Sequence, residues 1–150
     1  MKKQLSIVLL LVLGMIALNA QTVIYKAGFA ESTKTKNWDD AEYADVTDKD
    51  ILAVWKMEEE ILIISNAYND KFVLTEGTVL TDEQNGYAKY KSVYFDAFDK
   101  DGKNCDIMIS YYTNGAGFDD DGMYSTRIRI AYNDIWYGYY CTIKSQSGFE

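Results

Sequence analysis

The chain has 150 residues, carries 23 acidic against 15 basic side chains for a net charge of −8, and contains neither histidine nor proline. Without histidine there is no Ser-His-Asp or Cys-His nucleophile pair and no histidine-ligated metal centre. The acidic surface argues against nucleic acid and anionic membrane surfaces as partners.

Lys2 and Lys3 precede an uncharged apolar run from Leu5 to Leu18, and Asn19-Ala20-Gln21 offers a small residue for cleavage. A basic start, a short apolar core and a small-residue exit predict a signal peptide over residues 1–20. Counted on to Ala20, about 16 residues would make a helix of roughly 24 Å, short of a ~30 Å hydrocarbon core. Leu18 stands at the third position before the cut, where signals usually place alanine. No cysteine lies near the junction, and no second apolar stretch is long enough for stable membrane insertion. Residues 21–150 are then a single β-rich domain, secreted or periplasmic, with about 130 residues for one core. Processing removes two lysines and no acids, so the formal balance becomes 13 − 23 = −10.

The 13 tyrosines, 6 phenylalanines and 3 tryptophans all fall beyond residue 20, a density that favours strands. Val23, Tyr25, Ala27 and Phe29 alternate with Thr22, Ile24, Lys26 and Gly28 as a first strand, and the polar stretch 32–37 turns the chain. Residues 38–46 read as a second strand. Strands at 51–57 and 60–65 follow, divided by Glu58-Glu59, although Asp48 could instead cap a helix over 49–60. The β-branched run Ile61-Leu62-Ile63-Ile64 opposes any continuation of that helix. Asn69-Asp70 turns into a strand at 71–75, and Asn85-Gly86 leads into a long one at 87–98.

The pattern is clearest beyond this point. Asp99-Lys100-Asp101-Gly102 is a hairpin turn, and 103–113 returns with Cys105, Ile107, Ile109 and Tyr111 on one face. A loop from Asn114-Gly115 to Asp121-Gly122 precedes a strand at 123–132, whose Tyr124, Thr126, Ile128, Ile130 and Tyr132 oppose Arg127 and Arg129. Asn133-Asp134 then turns into the last strand, 135–144. Short turns between alternating strands predict an all-β antiparallel meander of eight or nine strands, as a small up-and-down barrel or a two-sheet sandwich.

A leader ending Leu-Asn-Ala-Gln, followed by a tyrosine-rich, proline-free β domain with a Gly102-x-x-Cys105-x-Ile107-x-Ile109 strand, resembles small exported β-rich proteins of Bacteroidetes-type bacteria. The resemblance implies a bacterial envelope or extracellular setting and carries no activity. Lysozyme-inhibitor barrels are similar in size and export, but their loop motifs are missing, which leaves an analogy of fold.

Cys105 and Cys141 form a possible disulfide in an exported chain. Two intervening strand spacings would hold them near ~10 Å, beyond the ~7 Å between Cα atoms that a bridge tolerates, unless it crosses the core. Asp99, Asp101, Asp119, Asp120 and Asp121 are weak calcium candidates, because the glycine spacing departs from an EF-hand loop and Asp-Gly turns explain the residues without a metal. No cofactor motif is present. Arg127 and Arg129, the chain's only arginines, could clamp an anion or pair across strands. Trp136 and Tyr140 share a face that could anchor a partner or cover an edge.

No catalytic motif stands out. The expected function is therefore a non-catalytic binding or inhibitory β domain, with a basic protein as the partner its charge suits. One alternative is a carrier of a small apolar ligand in a barrel cavity, distinguished by whether Tyr124, Tyr132 and Tyr139 line an open space or close-pack. A second is a carboxylate-based hydrolase with two facing acids in a cleft. Intact mass of the protein recovered from the exported fraction should place its N-terminus within two residues of Gln21. Retention of residues 1–20 would overturn the signal assignment.

Overall fold

The computed structural model describes residues 21–65, 70–85, 88–113, 115, 117–118 and 122–148. Residues 1–20, where a signal segment is expected, with Asn69, Gly86, Tyr87, Asn114 and the aspartates Asp119, Asp120 and Asp121, lie outside the described residues. Nine strands follow one another: β1 (Thr22–Thr33), β2 (Glu42–Asp45), β3 (Leu52–Lys56), β4 (Ile61–Ser65), β5 (Asp70–Asn85), β6 (Ala88–Phe98), β7 (Asn104–Tyr112), β8 (Thr126–Ala131) and β9 (Trp136–Ser147). Every pairing is antiparallel, in the order β1-β3-β4-β5-β6-β7-β8-β9, and β9 pairs back onto β1. The result is a closed eight-strand barrel, the first of the two architectures that the meander allows. As the alternation predicts, β7, β8 and β9 are consecutive neighbours.

The closing seam runs from Thr22 opposite Ser147 to Thr33 opposite Trp136, with register shifts after Ile24 and after Ala27. Val23, Tyr25 and Ala27 are buried in the core, whereas beyond the second shift Phe29 and Glu31 lie opposite Tyr140 and Gly138. Bulges of this kind let one strand turn a barrel corner and re-aim its side chains. Gly28 sits at that shift because a Cβ there would collide with the Tyr124 ring.

Leu62, Ile107, Ile109 and Ile128 are fully buried in the centre of the barrel. One end is covered by the chain between β1 and β3, which buries Val46 and Ile51 and is pinned by Val46 N–H donating to the Gly28 carbonyl. This covering segment corrects the expected strand at 38–46. Only Glu42–Asp45 is strand, pairing with the second half of β1, and Trp38–Asp40 is a 3-10 turn in which the Asn37 side chain accepts from Asp39 N–H. The helix considered over 49–60 does not form. Its apolar residues alternate buried and half-buried through Leu52–Lys56, and Glu60 at φ 54° turns the chain into β4. The strand expected at 71–75 is instead the 16-residue β5, because register shifts after Leu74 and Leu80 let it stay paired with β6 through its polar half.

Cys105 and Cys141 are both buried and both free, which corrects the possible disulfide. Cys141 lies opposite Thr126, and Thr126 opposite Tyr111, six positions along β7 from Cys105. Six steps of ~3.3 Å and two strand spacings of ~4.8 Å put the pair about 20 Å apart. The sequence estimate counted the strands between the cysteines but not the distance along them. Burial, reinforced by the Asp99 charge, pushes the Cys105 thiol up to about 12, and burial also raises that of Cys141. Protein unfolded without reductant should therefore titrate two thiols per chain, while the native protein at neutral pH should resist alkylation. A native disulfide found by non-reducing peptide mapping would contradict this placement.

Candidate functional site

The four residues singled out for binding come together on the outer face of β8 and β9. Arg129 lies opposite Gly138, and Gly138 lies opposite Glu31 of β1. Across that side-chain gap the Arg129 Nε donates to Glu31 Oε1 at 2.6 Å and Nη2 to Oε2 at 3.3 Å, and Tyr140 Oη adds a contact to Oε2 at 3.4 Å. The Glu31 side chain is 0% exposed although it points away from the lumen. Aromatic rings account for the burial. Trp38 stacks on the Arg129 guanidinium at 3.9 Å and on Trp136 at 5.1 Å between centroids, and Tyr43 lies 6.0 Å from Tyr140. Burial, and then the hydrogen bond to Tyr140, pushes the Tyr43 phenol up to about 12.

This arrangement is a latch. It fastens the Trp38–Asp45 arm, which precedes the end cover, onto the barrel wall. Arg127, one row away, has its guanidinium 4.8 Å from Phe118 and 5.9 Å from Tyr140, with Nε buried and without a hydrogen-bond partner. Beside the latch, Trp38, Trp136, Tyr94, Asp106 and Met108 border a cleft of about 230 Å³. Burial, and then a hydrogen bond to Asp106, pushes the Tyr94 phenol up to about 12.

The acidic turn is occupied by its own backbone. Asp99 Oδ1 accepts from the N–H groups of Asp101 and Lys103, and Oδ2 accepts from Tyr132 Oη at 2.9 Å. Burial works to raise the Asp99 pKa, but these hydrogen bonds, with the Lys103 charge, outweigh it and hold the carboxyl below its ordinary value. Among the described residues no group of three or more acids or cysteines is placed to hold a metal.

The second site lies inside the barrel, at the end away from the cover. Here β1 and β8 begin and β3, β7 and β9 end, leaving a cup of about 390 Å³ bordered by Val23, Tyr25, Trp55, Met57, Tyr111, Thr126 and Ile143. Ala27, Cys141, Thr126 and Tyr111 form one inward row across β1, β9, β8 and β7, and of these Thr126 and Tyr111 border the cup. Trp55 packs edge-on against Phe95 across the lumen at 5.9 Å and forms one wall. Burial pushes the Tyr25 phenol well above its ordinary value, so it stays a neutral hydroxyl. Thr126 is 0% exposed, and among the described residues its Oγ1 has no hydrogen-bond partner. Such a group costs about 1–3 kcal/mol unless something meets it.

The tyrosines expected to reveal a cavity do not line this one. Tyr139 is buried in the core, Tyr132 is tied to Asp99, and Tyr124 packs edge-on against Phe29 at 5.6 Å. Sequence reasoning missed Glu31 and the whole cup.

No protein-family model matches the chain, and neither a curated protein nor a solved structure matches it.

The latch makes a quantitative prediction. A Cβ at Gly138 would collide with the Glu31 side chain, so Gly138→Ala should cost about 1–3 kcal/mol by overpacking. Arg129→Met, which strands a buried carboxylate, should cost about 3–5 kcal/mol. Urea denaturation midpoints of the two variants check the ranking, and an unchanged midpoint in Arg129→Met would show that the pair holds nothing.

Proposed function

We propose that this is an exported binding barrel that takes a small apolar molecule into the cup at its open end. The observation that carries the reading is the cup itself. Its volume of about 390 Å³ is near the lower end of the range for small-molecule pockets, and barrel mouths are a preferred place for them. Its walls are aromatic and aliphatic, so entry of an apolar ligand removes surface from water on both partners at about 25 cal/mol per Å². The packed isoleucines beneath make the site a shallow receptacle at one end, suited to holding a ligand for transport or delivery.

Recognition of a basic protein through Trp136 and Tyr140 has less support. Both rings are engaged in the latch, Trp136 with Trp38 and Tyr140 with Tyr43 and Glu31. The acidic balance of the chain then serves solubility.

Titration with the neutral fluorophore N-phenyl-1-naphthylamine tests the reading. Binding should quench tryptophan emission, and Trp55→Phe should remove most of that quenching because Trp38 and Trp136 lie on the outer face. Ile143 borders the cup and is 49% exposed, so Ile143→Arg should leave the fold intact. The charge placed at the mouth should weaken binding at least fivefold. Fluorophore binding indifferent to Ile143→Arg would move the site elsewhere.

A further inference from the structure

The cleft of about 230 Å³ beside the latch lies on the outer wall of the barrel, apart from the cup. Two outward rows of side chains cross the strands there. Asp96, Asp106, Ala131 and Trp136 stand opposite one another across β6, β7, β8 and β9, and Tyr94, Met108 and Arg129 form the next row across β6, β7 and β8. Ala131 is the small member of its row, which leaves space between Asp106 and Trp136. Trp38 borders the same space from the arm, 5.1 Å from Trp136 between centroids. Trp38, Tyr94 and Trp136 are half-buried and Asp106 is exposed, so a solute can reach all four. The charges around this space are unequally met. Arg129 is the one cation bordering it among the described residues, and Glu31 neutralises it at 2.6 Å. Asp106 accepts a hydrogen bond from the Tyr94 hydroxyl but has no ion-pair partner among the described residues. Asp96 stands directly opposite it, and like charges so placed destabilise a sheet.

We propose that this cleft is a second binding site, independent of the cup, for a small free quaternary ammonium compound whose methylated head lies against Trp136 and Tyr94 with its charge facing Asp106. Aromatic rings attract cations through their quadrupoles, and the carboxylate adds to that attraction, so a cation gains here what a neutral apolar solute of the same shape does not. The guanidinium of Arg129, 3.9 Å from Trp38, already uses the same physics and takes up that ring face. Trp136 and Tyr94 are the rings left for a second cation. A primary ammonium carries three N–H donors, and Asp106 is the one acidic side chain on the border, already accepting from Tyr94. A fully methylated head has no N–H group to leave unpaired, so it loses less on entering. The volume falls below the about 300 Å³ at which pockets for drug-sized ligands begin, which suits a small head group. A phosphate joined to the ammonium, as in a lipid head group, would bring negative charge toward Asp96 and Asp106, and this favours a free compound.

Four probes separate these terms when titrated by proton NMR into the whole folded protein at constant ionic strength: choline, its neutral carbon isostere 3,3-dimethylbutan-1-ol, ethanolamine and phosphocholine. Choline should bind about tenfold tighter than the isostere, as a partly desolvated cation on aromatic rings requires, and its N-methyl signal should move upfield in the ring currents. Ethanolamine and phosphocholine should both bind more weakly than choline. Asp106→Asn, at an exposed position, should weaken choline about fivefold and leave the isostere unchanged. Ala131→Leu fills the space between Asp106 and Trp136 from an outward position, so it should abolish choline binding while leaving N-phenyl-1-naphthylamine binding in the cup as it was. Absence of choline binding, equal binding of choline and the isostere, or choline binding indifferent to both variants would each overturn the inference. Ethanolamine binding as tightly as choline would overturn the preference for a methylated head, and phosphocholine doing so would overturn the choice of a free compound. Should Ala131→Leu fail to fold, the order of the four probes and the Asp106→Asn variant still decide.

Discussion

The pairing of β1 with β9 is the constraint on which this structure rests. It converts a meander into a barrel and removes both of the edges that an open sheet would present to other chains. It also fixes the geometry of everything functional. The second register shift along that seam, at Gly28, divides Val23, Tyr25 and Ala27 on the lumen side from Glu31 on the outer wall, where it meets Arg129. A straight β1 without the shifts would carry one parity along its whole length and could not supply both sites.

The Glu31–Arg129 pair is unusual in being buried by aromatic rings on the convex side of a barrel. A surface ion pair is worth little because water screens it and long side chains must be ordered. Here the stacked Trp38 excludes water from one face of the guanidinium, and Gly138 leaves the gap in which the carboxylate lies. Breaking such a pair is costly even where making it gains little over an apolar substitute. Its value is positional. It fixes the arm that leads to Val46 and Ile51, buried residues that also border a pocket of about 400 Å³ with Tyr43 and Tyr139.

Much of the fold was legible because period-two alternation is strong wherever one face of a strand is buried. Residues 103–113, 123–132 and 135–144 alternate cleanly, and their order and neighbours followed from that and from short turns. The reading weakened where tertiary contacts override local pattern. Trp38 is apolar, yet it sits in a 3-10 turn because its ring serves Arg129 rather than a strand face. β5 ran on past Thr75 through polar residues that alternation alone would end, since a partner strand extends it. Arg127, Arg129, Trp136 and Tyr140 share one surface, but the contact of Arg129 and Tyr140 with Glu31 depends on a register shift at Gly28 that no local pattern announces. The cup was illegible for a similar reason. Tyr25, Trp55, Tyr111 and Thr126 border it from four separate strands, and the order of strands without their registers does not reveal which of them meet. Register was also what misled the estimate for the two cysteines.

The seam between β1 and β9 joins the first strand of the barrel to the last. Closing it means ordering a loop that contains nearly the whole domain, the most non-local contact this chain can make. Folding rates fall as such contacts come to dominate a topology. A chain emerging N-terminus first can assemble β3 to β8 hairpin by hairpin, but β1 keeps an open edge until Ser147 has arrived. The barrel, and with it the cup whose wall is shared by β1, β8 and β9, is therefore completed only once β9 has emerged and paired with β1. No half-made domain holds a finished cup.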